Sequence, residues 1–390
     1  VEVKMLVQEG ANEEEGIVAT THTAFKRWLN FMRFFLERMA FLPHENSTAV
    51  RFLFSLANTG EDIRKNPHFQ EADIIHLHWI NQGFVSLRTL QKIGKSGKPV
   101  VWTFHDEWTY TGGCHLALDC QGFTRQCGMC PYLRRPGRRD LSARIWKRKE
   151  EIFRNFGFRV ITPSKWLQSR VRSSSLLGNF NVEHIPNLLD TSIFRPADRD
   201  EACRRLGLKP ESRYILFGAA SMRSIFKGFD YFKEAAAILR RELGRETGAE
   251  ILLFGKSDKG VEKLFPLPAT HAGLVNKVET LVDLYSVADV YVNPSLQESF
   301  GYTILESMLC GTPVVGFNTA AISEIILHKE NGYLAAMKSV EDLAAGIMWI
   351  LRSARTDVIS EKARSSMLER FQEEEISRAH ISLYKRIISE

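Results

Sequence analysis

Residues 289–316 read Asp-Val-Tyr-Val-Asn-Pro-Ser-Leu-Gln-Glu-Ser-Phe-Gly-Tyr-Thr-Ile-Leu-Glu-Ser-Met-Leu-Cys-Gly-Thr-Pro-Val-Val-Gly. Val290, Tyr291 and Val292 make a short buried-strand pattern, which Asn293, Pro294 and Ser295 break. A polar loop carrying Glu298 and Gly301 follows. Residues 302–310 read as a helix, because Ile304, Leu305, Met308 and Leu309 recur on one side. Gly311 suits the helix stop, and Pro313 stands just beyond it. Val314 and Val315 open the next strand. Strand, loop, helix and strand in this order predict a parallel α/β sheet.

The same unit builds a polar site from ordinary parts. The backbone N–H groups of Ser299, Phe300, Gly301 and Tyr302 lie around the helix start, where amides lack partners inside the helix and the dipole is positive. Such an end attracts phosphate, and Gly301 lets the backbone approach a ligand closely. Glu298 precedes the helix and Glu306 lies inside it. At about 1.5 Å rise per residue they stand about 7 Å or more apart along the axis. Two acids flanking a phosphate-binding helix end suit a ligand with hydroxyls on both sides of a diphosphate, as a nucleotide sugar has. Either acid alone reads as a solvated surface residue; the spacing of the whole set carries the argument.

A chain of 390 residues implies two or more domains. A hydrophobic content of 44% and a charged content of 25% describe an ordinary globular protein. No apolar run approaches the length of a membrane helix, no signal peptide opens the chain, and a cytoplasmic location is expected. The net charge of +6 is modest, yet basic residues crowd residues 133–172. That crowding favours phosphates or an anionic membrane surface. No nucleic-acid reading motif is present, so nucleic acid is not an expected partner.

Val3 to Val7 alternates weakly as a strand. Ala24–Phe41 reads as a helix rich in Phe and Trp, with Lys26, Arg27, Arg33 and Arg38 interleaved. It reads either as a membrane-surface or lipid-acceptor helix, or as a core helix with a basic outer face. An aromatic stripe more often marks a core, which favours the second reading. Strands ending near His76, His78, His105 and Asp106 place imidazole and carboxylate where parallel sheets bind ligands. Cys114, Cys120, Cys127 and Cys130 fall within one loop. The last pair has metal-knuckle spacing while the first is looser, so structural zinc, two disulfides and free thiols all stay open. The basic residues from Arg134 to Arg148 read as a solvated face, or as a contact for a diphosphate-lipid acceptor. Lys227 with Gly228 opens a further helix; a helix start disfavours cations, so the lysine there is informative. Strand ends and loops place Gly255 and the run from His271 to Val275 nearby in sequence order.

Pro294 to Gly301, then Glu306, then Cys310-Gly-Thr-Pro-Val-Val resemble the E-x7-E signature of the retaining glycosyltransferases of family 4. The likeness covers about everything after Ala72, and is similar to that of bacterial surface-polysaccharide enzymes. It implies the GT-B fold, two Rossmann-like α/β domains facing across a cleft. Residues 1–192 would form the acceptor domain, 193–370 the donor domain, and 371–390 a helix crossing back. Members usually open with a strand and a Gly-rich turn, which are not found here; the resemblance implies that this part is missing from the sequence.

The implied reaction moves a sugar from a UDP- or GDP-linked donor to a carbohydrate or lipid-linked acceptor, with retention, in polysaccharide or glycolipid biosynthesis. It needs no metal or other cofactor for catalysis. By resemblance Arg223 and Lys227 clamp the diphosphate, although Arg223 stands at an unusual distance from the lysine. Gly255 at its strand end belongs to the donor site, the loop from His271 to Val275 holds the base by backbone contacts, Glu306 holds the ribose, Glu298 holds the donor sugar, and His105 lies beside it. Peripheral contact with the inner membrane face is a further expectation. The alternatives are a GT-B epimerase or phosphorylase, or a non-catalytic scaffold.

Overall fold

The computed structural model describes residues 1–10, 16–222, 224–243, 248–353 and 356–390. They form two compact units. One contains Val1–Ile185 with Ser377–Glu390, and the other contains Pro186–Ile376.

In the first unit, β1 (Met5–Val7) and β2 (Ile17–Ala19) make a parallel pair. β3 (Ile75–Leu77), β4 (Val100–Thr103), β5 (Arg159–Thr162) and β6 (Val182–His184) make a parallel sheet in sequence order. All four residues of β4 are buried, which explains its unbroken apolar run, because a parallel sheet is covered on both faces. Trp102, Trp108 and Phe158 anchor the core beneath it. β6 ends where the Ile185 N–H reaches Thr162 O (3.1 Å), and Pro186 has no N–H to extend the ladder. The change of unit therefore falls at Ile185/Pro186 rather than after residue 192, and the return falls at Ser377 rather than at 371. From Ser377 onward the last helix, Glu373–Ser389, is held in the first unit by Tyr384 against His76 (2.6 Å) and by Arg386 on Glu183 (2.7 Å).

In the second unit, β7 (Arg213–Ser221), β8 (Ala249–Lys256), β9 (Ala269–His271), β10 (Ala288–Asn293), β11 (Val314–Phe317) and β12 (Gly332–Ala335) form one parallel sheet. Its order is β12-β11-β10-β7-β8-β9. Side chains alternate between the faces of each strand. Ile215, Phe217, Ile251, Leu253, Val290 and Val292 join one core with Phe232, Ala236 and Leu239 of the Phe229–Leu243 helix. Tyr291 and Phe254 pack instead against Tyr285 of the Val278–Val287 helix. Both the fold class and the central strand–loop–helix–strand reading hold, with the helix at Tyr302–Leu309.

The Ala24–Phe41 helix corrects an expectation. It is not a core helix with a basic outer face. Its buried positions are Asn30, Glu37, Arg38 and Phe41, whereas Phe25, Trp28, Phe31 and Phe35 are exposed.

Candidate functional site

The order of the six-stranded sheet reverses between β7 and β10, since β8 and β9 extend from one and β11 and β12 from the other. Parallel sheets bind ligands at the carboxyl ends of strands at such a reversal. The loop leaving β7 carries Lys227, and the loop leaving β10 carries Glu298. Leu296 N–H donates to Phe226 O (2.7 Å), stitching the two loops together. Gly228 permits the approach: its φ is +71°, and a Cβ there would lie 1.9 Å from Pro294 O. Lys227 Nζ consequently donates to Glu298 Oε1 at 2.5 Å, with both side chains largely buried.

Gly301 caps the Tyr302–Leu309 helix in the left-handed region, with φ +84°, and no side chain caps that end. Phe300 is buried edge-on against Tyr302 (5.0 Å between centroids), and Ser299 is buried beside it. Glu306 is half-buried and accepts a bond from Tyr285 Oη (2.9 Å). Burial raises its carboxyl above the usual value, and the tyrosine bond opposes that rise. Gly255 has φ +115°, and a Cβ there would lie 1.7 Å from Ala219 O. Its N–H donates to Gly273 O (2.7 Å) and its carbonyl lies 2.9 Å from His271 Nε2, which ties the loop leading to half-buried Val275 to the end of β8. Arg223 lies outside the described residues.

In the first unit His105 Nε2 is 3.0 Å from His78 Nδ1, and the two rings stack at 5.3 Å. Burial lowers the His105 pKa, which the nearby Asp106 partly restores. A small cavity here is lined by His78, Trp79, His105 and Asp106. Asp106 Oδ2 accepts from Trp79 Nε1 (2.9 Å) and lies 2.7 Å from His115 Nδ1, whose other nitrogen is 2.8 Å from Ser55 Oγ.

The four loop cysteines are free thiols close enough to influence one another's charge. Cys127 Sγ accepts the Gly112 N–H (3.1 Å) and Cys120 Sγ accepts the Gly122 N–H (3.4 Å). Burial pushes the Cys127 thiol up to about 11 and Cys130 up to about 12. Fully buried Lys149 lies 3.6 Å above the Trp108 ring and donates to Thr111 O (3.0 Å). Among the described residues no group of three or more His, Cys, Asp or Glu side chains is arranged to hold a metal ion.

Residues 38–193 match the family described as Glycosyltransferase Family 4, and residues 212–353 match the family described as Glycosyl transferases group 1. The D-inositol 3-phosphate glycosyltransferase of Arthrobacter sp. (strain FB24) is 30% identical over 316 residues, covering 78% of this chain and 67% of that protein. The chain belongs to the family 4 glycosyltransferases.

The N-acetyl-alpha-D-glucosaminyl L-malate synthase of Bacillus anthracis is 25% identical over 215 residues, covering 54% of this chain and 55% of that protein. The chain thus spans about half to two thirds of the length of these two relatives. Two solved structures share the GT-B fold. Sucrose-phosphate synthase from Thermosynechococcus elongatus superposes with a TM-score of 0.63 at 20% identity, covering 83% of this chain and 75% of that one. Anabaena Alr3699/HepE, in complex with UDP and glucose, gives 0.60 at 18% identity, covering 81% and 78%.

Three features of this family 4 chain escaped the sequence reading. Tyr285 supports Glu306 from the neighbouring Val278–Val287 helix. The Asp106–His115–Ser55 chain joins residues up to 60 positions apart. Trp79 adjoins a histidine already singled out at a strand end, which was the one available signal.

Proposed function

We propose that this chain transfers a sugar from a nucleotide-sugar donor to an acceptor hydroxyl with retention of configuration. The observation that carries the reading is the Lys227–Glu298 pair, set beside a helix start without a side-chain cap at the sheet's reversal. Diphosphate oxygens draw Lys227 away from Glu298 and accept amides of Ser299, Phe300, Gly301 and Tyr302. Lys227, with Arg223, offsets the charge that builds on the leaving nucleoside diphosphate, a role that calls for no divalent metal and no other cofactor. Glu298, released from the lysine, takes hydroxyls of the donor sugar, and Glu306 takes those of the ribose. The backbone at Gly255 and Val275 flanks the base. His105, whose pKa burial lowers, orients the sugar or the attacking hydroxyl. The UDP held by HepE supports a UDP-linked donor, with GDP the second choice. The acceptor is a carbohydrate or a lipid-linked glycan, in cytoplasmic polysaccharide or glycolipid synthesis.

A screen of UDP-, GDP- and ADP-sugars by thermal shift tests the donor half. A true donor near a hundredfold its Kd stabilises by about 2.7 kcal/mol. Absence of a shift with every nucleotide sugar overturns the reading. Glycan product formed with added acceptor separates a transferase from an epimerase. Glu306→Ala is expected to weaken nucleoside diphosphate binding about tenfold or more, the scale of one hydrogen bond to a charged group. Unchanged affinity by calorimetry removes the ribose role.

Structural zinc at Cys114, Cys120, Cys127 and Cys130 is a separate proposal. Burial holds the Cys127 and Cys130 thiols protonated, so a zinc ion would release their protons on binding, and the N–H bonds to Cys127 and Cys120 would then meet thiolate sulfur. The thiols as they stand do not close on an ion, so binding requires the loop to tighten. Protein purified without chelator is expected to carry about one zinc per chain; less than about a third retires the proposal.

A further inference from the structure

The Ala24–Phe41 helix presents its apolar side to solvent. Phe25, Trp28 and Phe31 are 68%, 56% and 58% exposed, and Phe35, Leu36, Met39 and Leu42 continue the stripe at helical spacing. Phe52 adds a further exposed ring, stacked on Phe34 at 6.4 Å. An exposed apolar patch of this extent marks an interaction surface.

The orientation is locked from the polar side. Glu37, 0% exposed, accepts the N–H groups of Leu56 (2.9 Å) and Ala57 (3.0 Å) through Oε1. Arg38 pairs with Glu37 (3.0 Å) and donates to Phe54 O (3.0 Å). Thr59 Oγ1 donates to Arg33 O (2.8 Å), and Gly83 comes so close that a Cβ would lie 2.8 Å from Phe34 N. Turning the aromatics inward would leave the N–H groups of Leu56 and Ala57 and the carbonyl of Phe54 without these partners.

The charge around the stripe identifies its partner. In residues 24–42 the sole acid, Glu37, is buried with Arg38, Arg33 pairs with Glu61 (3.4 Å), and Lys26 and Arg27 remain as basic charge beside the stripe. Where the helix ends, the chain is tied to the basic loop: Arg134 N–H donates to His44 O (2.7 Å), and Asn46 N–H donates to Tyr132 O (3.1 Å). Arg134, Arg135, Arg138 and Arg139 are all exposed. An exposed aromatic stripe on a helix whose end is tied to an arginine-rich loop matches the surface of an anionic bilayer, with rings at the headgroup–acyl boundary and guanidinium groups on lipid phosphates. A second copy of the chain would bring like charges together. Among the described residues no helix is long and apolar enough to cross a membrane.

We infer that the Ala24–Phe41 stripe and the arginine loop at residues 134–139 dock this chain on an anionic lipid bilayer. The inference deepens the acceptor side of the proposed function, placing the first unit where a lipid-linked acceptor resides. Lipid binding is measured without turnover, so its failure leaves the donor reading standing, and the reverse also holds.

The test is co-sedimentation with vesicles of about three parts phosphatidylcholine to one part phosphatidylglycerol. Binding to these vesicles, absent with pure phosphatidylcholine and weakened by salt, is expected. Trp28→Glu with Phe31→Glu should lower the partition at least about tenfold with an unchanged melting temperature, since both residues are exposed. Changing Arg134, Arg135, Arg138 and Arg139 to Ser should abolish the preference for anionic lipid and leaves the helix untouched. No binding at low salt overturns the proposal. So does a lipid-free dimer in sedimentation velocity that the Trp28/Phe31 variant dissociates, because the stripe would then be a contact between copies.

Discussion

Lys227→Ala is expected to lower turnover about a hundredfold or more, the scale of losing one group aimed at developing charge. Lys227 comes from the loop after β7 and is held on Glu298, which comes from the loop after β10. Removing the ammonium leaves the leaving diphosphate without that countercharge. It also leaves the Glu298 carboxylate unpaired and facing the incoming phosphates, so nucleoside diphosphate affinity falls as well. The double variant Lys227→Ala/Glu298→Gln separates the two effects: it should regain part of the binding but none of the turnover. Activity of Lys227→Ala within about threefold of the parent removes the lysine from the charge-stabilising role.

Gly228→Ala is expected to cost at least as much activity and, unlike the lysine change, stability too. An alanine in the left-handed region costs about 1–2 kcal/mol. The added Cβ, 1.9 Å from Pro294 O, further forces the β7 and β10 loops apart. Separation breaks the Leu296–Phe226 bond and pulls Lys227 from Glu298. Gly207 supplies the control. Its φ is +68°, yet nothing lies within 4 Å of a Cβ built there. Gly207→Ala therefore carries the backbone strain alone, with turnover unchanged. A Gly228→Ala variant that melts and turns over like Gly207→Ala would show that the two loops have slack, and the paired site would lose its structural basis.

The site is readable in sequence to different depths. Glu298, Gly301 and Glu306 sit on one continuous strand–loop–helix, so their relation follows from local geometry alone. The pairing of Lys227 with Glu298 joins residues 71 positions apart, and the need for glycine at 228 arises from a carbonyl of another loop. Neither has a local signature. In the Ala24–Phe41 helix, periodicity reveals two faces but not which one turns inward. The decision comes from N–H groups at Leu56 and Ala57 that require the Glu37 carboxylate.

From sequence alone came the parallel α/β class, the Tyr302–Leu309 helix and the acids around its start, because short-range periodicity and backbone stereochemistry decide those. Tertiary structure alone set the strand order that puts β7 beside β10, the joining of their loops, and the outward turn of an aromatic helix face. Those depend on which distant donor meets which acceptor, and hydrogen-bond satisfaction in a packed interior is a property of the whole chain rather than of any window within it.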